Sequence, residues 1–562
     1  MENQRGITVS SGLGAIGEEV LTNRLMKTIK FTQAQARGRK GGCTTDHIFI
    51  LKGLISLAMK KGQELIITFF DIKKAYDRAD MDDMLYIVHQ QGFEGKIWRL
   101  TKSMNEELTA KVKTKAGLTR EIRREKGGKQ GGKLMVPLFA KMMDRLPEEM
   151  NEVETLGIKV DDMKIPALVY VDDATSLAIG YTQQQITLDA INEFAIKHKL
   201  EWGAEKCKVM EIGSHKEKKT EWKLGEKIIT NCQDYKYLGQ TISRDGKSKE
   251  NLSAIFSKVK ATVRAIITCA KSKVMKNIET DVVLKLHEAC TIPTFLTNSE
   301  TWSLNAEERK EADKIEMWAL KDMFGLPITT PNAGIVFALG TLFSTIRIAK
   351  KQLIYLHKIL RKEQGNWVKG TLVALEKNDT GWAKTINDIL EQWGLETDWD
   401  KIEAKTEGEW RREIDIEAEL MNKKRLAEEC HVKERGCLRP KTKTKTIIEQ
   451  LNEPSYIRKP IKVLPRTSIL EARAIMMGRY GMLDCGANYC MKYGGKDCKV
   501  CHVLDNEDHR LNYCSLYKDV NLYDQDTKID FCGIYSDDLE QSRMVISAIL
   551  QGDRAQLGES KN

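Results

Sequence analysis

Two apolar segments that each lead into carboxylates constrain this chain more than any other feature. Residues 65–70 have the pattern of a buried strand and end at Asp71, whereas residues 167–179 have the pattern of a hairpin with Asp172 and Asp173 at its tip. Asp-Asp pairs also occur elsewhere, and aspartate is common in turns, so the hairpin alone would indicate only a solvated turn. Three carboxylates at the ends of two neighbouring strands instead predict a metal site.

The chemistry that suits such a metal site is phosphoryl transfer. Carboxylate oxygens are hard ligands that hold two Mg²⁺ ions about 4 Å apart, and the ions stabilise the attacking and leaving oxygens of an in-line displacement. Nucleotidyl transfer is the natural reaction of this kind. The carboxylate pattern therefore favours a nucleotidyltransferase.

Both segments resemble the palm motifs of reverse transcriptases. Residues 70–77 match Phe-Asp-x-x-x-Ala-aromatic-Asp, and residues 170–173 match Tyr-x-Asp-Asp. The resemblance implies that Tyr76 packs under the incoming sugar, leaves no room for a 2′-hydroxyl and selects dNTPs. The alternative for Tyr76 is a core tyrosine at the start of a helix. The resemblance also implies three ligands for the two Mg²⁺ ions: Asp71, Asp172 and Asp173.

Two further segments extend the resemblance to reverse transcriptases of non-LTR retrotransposons. Residues 128–139 look like the Gln-Gly…Pro-x-Leu-Phe segment, which implies that Gln130 lies against the sugar of the incoming nucleotide; Val136 stands where the family usually has Ser. Residues 200–210 resemble the segment whose lysine, here Lys206, protonates pyrophosphate or steers the triphosphate. The alternative for Lys206 is an ordinary surface lysine.

The N-terminal region resembles the fingers of the same family. Residues 5–11 and 35–46 look like Arg-Pro-Ile-Ser and Gln-Ala-Gly-Phe-Arg-Lys-Gly-Arg-Ser-Thr-x-Asp, with Gly6 in place of proline and Gly38 in place of phenylalanine. Basic side chains beside glycines suit triphosphate binding. The resemblance implies that Arg39 reaches the triphosphate.

A hairpin pattern completes the series. Residues 235–242 are similar to the Tyr-Leu-Gly hairpin that grips the primer 3′ end, which gives Tyr237, Leu238 and Gly239 that role. The six motifs follow one another in the family order between residues 5 and 242. Each match alone has a structural explanation, so the inference of a reverse transcriptase depends on their order and spacing.

The composition agrees with a nucleic-acid enzyme. A chain of 562 residues with 41% hydrophobic residues indicates three or four globular units, and a formal net charge of +10 favours a polyanionic partner. Thirteen cysteines without a signal peptide indicate reduced thiols and a cytoplasmic and nuclear location. Because no apolar run of about 18 residues occurs, we expect no membrane span.

The pattern becomes helical after the palm motifs. Residues 252–267 carry their apolar side chains on one face with basic residues off that face, and residues 297–302 and 316–320 resemble the thumb pattern of non-LTR elements. Residues 346–436 contain five tryptophans that we interpret as core, and residues 438–466 form a basic link that suits a phosphate backbone.

Near the C-terminus the sequence predicts a zinc site. Cys498, Cys501, His509 and Cys514 have the spacing of a closed tetrahedral site, and they resemble the Cys-Cys-His-Cys motif found downstream of many non-LTR reverse transcriptase domains. The alternative is unliganded thiols and a surface histidine. Cys485, Cys490 and His502 are spare candidates: they leave the ligand set open.

The predicted fold is α/β (α+β), a right-hand polymerase with palm, fingers and thumb, followed by a helical connector and a small zinc-knuckle segment. The predicted divisions are fingers and palm at 1–242, helical thumb at 243–345, helical connector and basic link at 346–470, zinc-knuckle segment at 471–530 and C-terminal tail at 531–562.

The predicted function is RNA-directed DNA synthesis for a non-LTR retrotransposon, with an RNA template, a DNA primer or target and dNTPs as partners. The first methionine falls just before the fingers motifs, so we expect an N-terminally truncated element protein that lacks an upstream endonuclease, and no RNase H motif set is evident. The alternatives are a catalytically idle, element-derived RNA-binding protein and a group II intron maturase. The sequence leaves the oligomeric state open.

Overall fold

The computed structural model describes most of the chain as far as residue 434 and a short stretch beyond it. Two sets of predicted residues lie outside the described residues: Gln130, and the zinc motif of Cys498, Cys501, His509 and Cys514. The same holds for nearly all of the basic link and for the C-terminal tail. The described residues are 8–37, 39, 41–106, 109–114, 117–123, 127–129, 131–213, 221–270, 279–434, 464, 467–479 and 502.

Helices make up most of the described structure. A π-helix at His287–Thr291 and a 3₁₀ turn at Ser299–Thr301 interrupt the α-helices. The α-helices are α1 Gly12–Thr28, α2 Thr44–Lys61, α3 Ala75–Arg78, α4 Met81–Gln90, α5 Gly95–Ser103, α6 Met135–Met143, α7 Arg145–Glu152, α8 Gly180–Lys197, α9 Lys249–Ala270, α10 Thr280–Leu286, α11 Ile292–Phe295, α12 Ala306–Met323, α13 Asn332–Leu339, α14 Ser344–Leu360, α15 Trp367–Lys377, α16 Gly381–Trp393, α17 Trp399–Ala404, α18 Glu407–Glu434 and α19 Ile469–Arg479.

Within the described ranges, the strands lie in the first half of the chain. Together with the helices they confirm the mixed helix and sheet composition that the sequence predicted. They are β1 Leu65–Phe70, β2 Thr109–Ala110, β3 Lys113–Thr114, β4 Gly117–Leu118, β5 Ile122–Arg123, β6 Ile158–Val160, β7 Met163–Ile165, β8 Ala167–Tyr170, β9 Asp173–Ala178, β10 Lys208–Ile212, β11 Glu221–Leu224, β12 Lys227–Asn231, β13 Asp234–Tyr237 and β14 Gln240–Ser243.

One six-stranded sheet organises this region, with the strand order β11-β12-β10-β1-β9-β8. Strand β1 lies inside it, antiparallel to both β9 and β10, and all six of its residues are buried. A continuous apolar run such as Leu65–Phe70 suits a strand covered on both faces. The strand predicted at residues 65–70 and the hairpin predicted at residues 167–179 are both confirmed.

Helix α6 packs against this sheet with nearly its whole surface buried, including Lys141. The Lys141 ammonium is compensated because its Nζ lies 2.8 Å from an oxygen of Asp144 and 2.8 Å from an oxygen of Glu148. Asp144 in turn accepts hydrogen bonds from the backbone N–H and the hydroxyl of Thr32. A buried charge that lacked such partners would be costly, so this cluster fixes the segment before α2 to the end of α6.

The described chain divides into two compact units, which are considered one at a time. The first contains residues 1–251, 300–303 and 355–388, so a piece of the distant helical region packs with the sheet-bearing half. In this unit Phe49 of α2 makes edge contacts with Tyr355 and Trp382. Asp46 at the start of α2 accepts a hydrogen bond from Tyr355 and a charged one from Lys362. These contacts hold the long helix α2 against residues that are far from it in the sequence.

The second unit contains the described parts of residues 252–299, 304–354 and 389–562. Helix α9 buries Leu252, Ile255, Val259, Val263 and Ile266, which confirms the apolar face predicted from the sequence. The unit's tryptophans at 393, 399 and 410 are buried or nearly so, as expected for core residues rather than base-stacking platforms.

A buried polar cluster joins three helical segments of the second unit. Glu316 lies fully buried 3.3 Å from Nε of Arg347 and accepts a hydrogen bond of 2.5 Å from the hydroxyl of Ser344. His287, the first residue of the π-helix, lies 3.7 Å from the same carboxylate. The Arg347 charge lowers the pKa of Glu316 against the opposing effect of burial. The carboxylate is therefore held charged and contributes specificity to the packing of these helices.

No single helix within the described residues is both long and apolar enough to cross a membrane. Helices α13 and α14 meet the length and composition requirement only if they are counted together across a bend of 63°.

Candidate active site

The register of the sheet brings the two aspartate segments to one end of neighbouring strands. Strand β1 pairs with β9 so that Phe70, its last residue, lies opposite Ala174. Asp71 follows Phe70 and Asp173 is the first residue of β9, so the two aspartates lie at the same end of the paired strands. Asp173 also pairs with Tyr170 across the β8–β9 hairpin, which leaves Asp172 in its two-residue turn. All three aspartates are half-buried. The fold therefore juxtaposes carboxylates that are about one hundred positions apart in the sequence.

The segment that carries Lys206 is fastened directly to the end of β1. Gly203 donates its N–H to the Asp71 carbonyl, and Lys73 donates its N–H to the Glu201 carbonyl, each at 2.8 Å. Gly203 fits because a Cβ at this position would lie only 3.2 Å from Oδ2 of Asp71. This short backbone pairing places Lys206 at the end of the sheet where Asp71 lies.

Lys206 makes an ion pair with the first predicted metal ligand. Its Nζ lies 3.3 Å from Oδ2 of Asp71, and its side chain is 60% exposed. An exposed pair of this kind contributes about 1 kcal/mol or less to stability. Its main effect is to place a positive charge beside the carboxylates.

The predicted primer-grip hairpin is present and lies against the same strand. Strands β13 and β14 are joined through Leu238 at φ 45° and Gly239 at φ 86°, the positive values that a tight two-residue hairpin turn requires. Tyr235 stacks on Phe69 with ring centroids 4.2 Å apart and planes 8° from parallel. Tyr237 packs on the same ring at 5.6 Å. Because Phe69 precedes Asp71 by two residues, it shares the face of β1 from which Asp71 projects.

Tyr235 is a site residue that sequence reasoning missed. Burial, with further contributions from the nearby charges that include Asp71 and Asp173, raises the pKa of its phenol, so the hydroxyl stays protonated. That hydroxyl donates a hydrogen bond to the Lys206 carbonyl at 3.4 Å. The signal that points to it is the period-two spacing of Tyr235 and Tyr237, which places both rings on one face of a strand.

Tyr76 lies half-buried in the short helix α3, with its ring 5.4 Å from the ring of Phe139. Its carbonyl accepts a hydrogen bond of 2.8 Å from the N–H of Gly128. A Cβ at Gly127 would lie 2.6 Å from the same carbonyl, and one at Gly128 would lie 1.8 Å from the Met135 sulfur. These glycines are therefore required by close packing around Tyr76.

Comparison with known proteins fits this geometry. Residues 1–242 match the family model described as reverse transcriptase (RNA-dependent DNA polymerase). The chain carries a reverse transcriptase domain. The resemblance that the sequence motifs predicted is thus confirmed, and the matched region contains all three strand-end aspartates, Lys206 and the β13–β14 hairpin up to residue 242.

Two relatives are proteins of mobile elements. Over 339 residues the chain is 22% identical to the "Retrovirus-related Pol polyprotein from type-1 retrotransposable element R2" of Popillia japonica, covering 59% of this chain and 46% of that protein. Over 255 residues it is 24% identical to the "RNA-directed DNA polymerase from mobile element jockey" of Drosophila melanogaster, covering 43% of this chain and 27% of that protein. The chain thus spans less than half the length of each relative.

Solved telomerase structures also match, with low overall superposition. Telomerase from Candida albicans, in complex with a fragment of telomeric RNA, matches at 11% identity and a TM-score of 0.31, over 71% of this chain and 56% of that one. Apo telomerase from Candida tropicalis matches at 14% identity and a TM-score of 0.34, over 72% and 59% of the two chains.

The carboxylates fit the chemistry of Mg²⁺, which reverse transcriptase domains generally use, because carboxylate oxygens are the hard ligands it prefers. Within the described ranges, however, no three His, Cys, Asp or Glu side chains converge in a group that could hold a metal ion as they stand. Asp71 is engaged instead by Lys206. Like-charged side chains repel one another without a cation between them, so a neighbouring ammonium is the expected partner of such a carboxylate.

Two other parts of the predicted nucleotide site have partners in the protein. Arg39 donates from Nη1 to the Gln33 carbonyl at 3.0 Å, in a cleft lined also by Asp46, His47 and Trp367. Lys129 and Lys133, near the predicted Gln130, bind a buried carboxylate that the sequence did not reveal. That carboxylate belongs to Glu18, which accepts from Nζ of Lys129 at 3.1 Å and from the N–H of Lys133 at 3.0 Å.

His47 is a second residue that sequence reasoning missed, and no pattern in the sequence would have found it. It lies fully buried on α2, with Nδ1 3.3 Å from the hydroxyl of Tyr237, and thus contacts the β13–β14 hairpin. Burial lowers the pKa of its imidazole to about 4. His47 is therefore neutral at physiological pH.

We expect His47 to make stability depend on pH. The unfolded chain takes up a proton at this position near pH 6.5, whereas the folded ring does not until about pH 4, so stability falls as the pH is lowered through this window. The loss between pH 7 and pH 5 should be about 2 kcal/mol. Unfolding of the wild type and of His47→Gln at both pH values would measure it, and the variant should show a flatter dependence. The exposed His89 gives the control: His89→Gln should keep the wild-type slope, and an equal change in both variants would contradict the assignment.

Proposed function

We propose that this protein is the RNA-directed DNA polymerase of a non-LTR retrotransposon, which extends a primer on an RNA template with dNTPs by two-metal nucleotidyl transfer. The observation that carries the proposal is the β1–β9 pairing, which brings Asp71 and Asp173 to the same end of neighbouring strands inside a matched reverse transcriptase domain. The names of the relatives from R2 and jockey elements support the retrotransposon origin.

In this proposal Asp71, Asp172 and Asp173 hold two Mg²⁺ ions at the end of the sheet. Bound Mg²⁺ supplies Lewis acidity at the attacking and leaving oxygens of the displacement. Lys206 exchanges its partner Asp71 for the triphosphate, where its ammonium steers the phosphates and gives a proton to pyrophosphate. Its exposed, flexible side chain supports this exchange.

The remaining roles concern nucleotide and primer. Tyr76 forms the floor that excludes a 2′-hydroxyl, and its contact with Phe139 would keep the ring in place. Gln130 and Arg39 contact the sugar and the triphosphate of the incoming dNTP. The primer grip consists of Tyr237, Leu238 and Gly239, and its seat on Phe69 would fix the primer 3′ end relative to Asp71.

The proposed layout assigns fingers and palm to residues 1–242, the thumb to 243–345, a connector and basic link to 346–470, a zinc-knuckle segment to 471–530 and a tail to 531–562. The net charge of +10 supports binding of RNA template and DNA primer or target, because each phosphate neutralised by Lys or Arg releases counterions. The described cysteines are free thiols, which is consistent with work in the reducing cytoplasm and nucleus.

Asp172→Asn should abolish nucleotide incorporation, with a loss of at least about 100-fold, because it removes a metal-ligand charge worth several kcal/mol in the transition state. Asp71→Asn should do the same. Both proteins should keep their fold and RNA binding, since a turn carboxylate makes few packing contacts. Primer extension on poly(rA)/oligo(dT) with Mg²⁺ measures the effect.

The matched control for these variants is Asp82→Asn, an exposed aspartate in the first turn of α4, which should leave extension unchanged. Comparable primer extension by Asp172→Asn and the wild type would contradict the assignment of Asp172 as a metal ligand. A wild-type protein that binds RNA but does not extend the primer would favour the alternative of an idle, element-derived RNA-binding protein.

Tyr76→Ala should raise incorporation of rNTP relative to dNTP by roughly tenfold or more, because removing the ring opens space for a 2′-hydroxyl. Tyr76→Phe, which keeps the ring, should retain the wild-type ratio. The exposed tyrosine of α4 supplies a further control, since Tyr86→Ala should not change the ratio. Single-nucleotide incorporation with dNTP and rNTP substrates gives these ratios; an unchanged ratio in Tyr76→Ala would make Tyr76 a core residue.

We further infer one structural Zn²⁺ bound by Cys498, Cys501, His509 and Cys514, which would help to hold template RNA or target DNA. A closed shell of four protein ligands leaves no position for a reactive water. Cys501→Ser should therefore release zinc and weaken nucleic-acid binding while leaving extension at saturating template largely intact.

Metal analysis of protein purified without chelator, combined with RNA-binding titrations, tests the zinc proposal. Cys269→Ser replaces an exposed free thiol and should retain the full zinc content. Absence of zinc from the wild type would remove the site. Loss of extension at saturating template in Cys501→Ser would show a role beyond binding.

A further inference from the structure

The two-residue turn that joins β8 to β9, formed by Val171 and Asp172, has an unfavourable backbone. Val171, directly before Asp172, has φ 59°, in the left-handed region that β-branched residues rarely adopt. Its side chain is buried in the core of the sheet. Such a conformation persists only where the surrounding structure holds it. The direction in which Asp172 and Asp173 leave the turn therefore depends on whatever fixes Val171.

A glutamine from the fingers motif fixes it. Gln35 is completely buried, and its Oε1 accepts a hydrogen bond from the N–H of Val171 at 3.2 Å. The same oxygen accepts from the N–H of Arg37 at 3.1 Å, while Nε2 donates to the Ala140 carbonyl of α6 at 3.1 Å. The amide is thus bonded at both ends, with its acceptor directed at the strained turn.

The backbone around Gln35 reinforces this contact. Val169 donates its N–H to the Ala34 carbonyl at 2.8 Å and accepts from the N–H of Ala36 at 3.1 Å, so residues 34–36 form a short parallel bridge to β8. The start of this segment is tied to α6 by the hydrogen bonds from Thr32 to the buried carboxylate of Asp144. The segment is therefore a fixed support from which Gln35 holds the hairpin tip.

We propose that Gln35 is a positioning residue for the catalytic hairpin: it fixes the left-handed turn at Val171 and thereby sets the two following carboxylates for metal binding. The role in catalysis rests on the proposed function, whereas the role in holding the turn does not. The geometry also explains the residue type. Glutamate would lose the donor to Ala140 and bury a charge, and methionine keeps the length but makes neither hydrogen bond.

The chain offers a matched control in Gln184. This glutamine is also completely buried in the same unit, and its Nε2 donates to the hydroxyl of Thr68 on β1 at 2.6 Å. Gln184→Met and Gln35→Met therefore make the same chemical change at equal burial beside the same sheet. Of these two glutamines, Gln35 is the one that makes a hydrogen bond to the turn before the aspartates.

The first test uses hydrogen exchange in metal-free protein. Gln35→Met should speed exchange of the Val171 amide, followed in peptides that span residues 167–176, by about tenfold, since one hydrogen bond to that N–H is lost. Gln184→Met should leave this exchange at the wild-type rate. Equal exchange in both variants would overturn the proposal. This readout needs no activity, so it decides the proposal even if the protein does not extend primers.

The second test is kinetic. Gln35→Met should raise the Mg²⁺ concentration for half-maximal primer extension about three- to tenfold and lower kcat, with little change in KM for primer–template, and Gln184→Met should change neither. A loss that tracks thermal stability equally in the two variants would show a merely structural role. If Gln35→Met does not fold, Gln35→Asn with Gln184→Asn as control replaces the pair, and the same comparisons decide.

Discussion

The antiparallel register between β1 and β9 is the constraint on which the candidate site depends. It brings Asp71 and Asp173 to the same end of the sheet, and it holds because β1 is buried on both faces and pairs on both sides. Slipping the pairing by one residue would send every side chain of the strand to the opposite face. The same register is thus required for burying the apolar side chains and for placing the carboxylates. Packing of the apolar strand therefore determines where the carboxylates lie.

Concentrating carboxylates at one sheet end creates a repulsion that the surrounding residues offset in different ways. The Lys206 ammonium is paired with Asp71, and its mostly exposed side chain can move away from that carboxylate. Tyr235 lines the site as a neutral group, because burial and the nearby carboxylates raise the pKa of its phenol and keep it protonated. A site that must accept cations gains from partners of this kind, since permanent buried ion pairs such as Lys141 with Asp144 would compete for the same oxygens.

The sequence predicted what local pattern and motif order determine. The strand before Asp71, the aspartate hairpin and the apolar face of α9 follow from periodicity and turn chemistry. The β13–β14 hairpin followed from the resemblance of residues 235–242 to the Tyr-Leu-Gly hairpin of the family. The packing of residues 355–388 beside α2 and the burial of Glu18 against Lys129 and Lys133 could not be predicted, because they depend on long-range contacts that leave no periodic signal. The packing of Gly128 against Tyr76 could not be predicted either, because it is a close contact between residues far apart in the sequence.

The fingers motif and helix α2 act on the catalytic strands by two separate buried routes. Gln35 bonds the turn before the paired aspartates, and His47 contacts Tyr237 of the hairpin that lies on Phe69. One route holds the turn that carries the proposed metal ligands and the other contacts the proposed primer grip, and both use a neutral polar side chain in a fully buried position. Neutral groups suit this task because they impose direction without adding charge beside a metal site. Gln35 and His47 therefore supply part of the rigidity of the proposed catalytic centre.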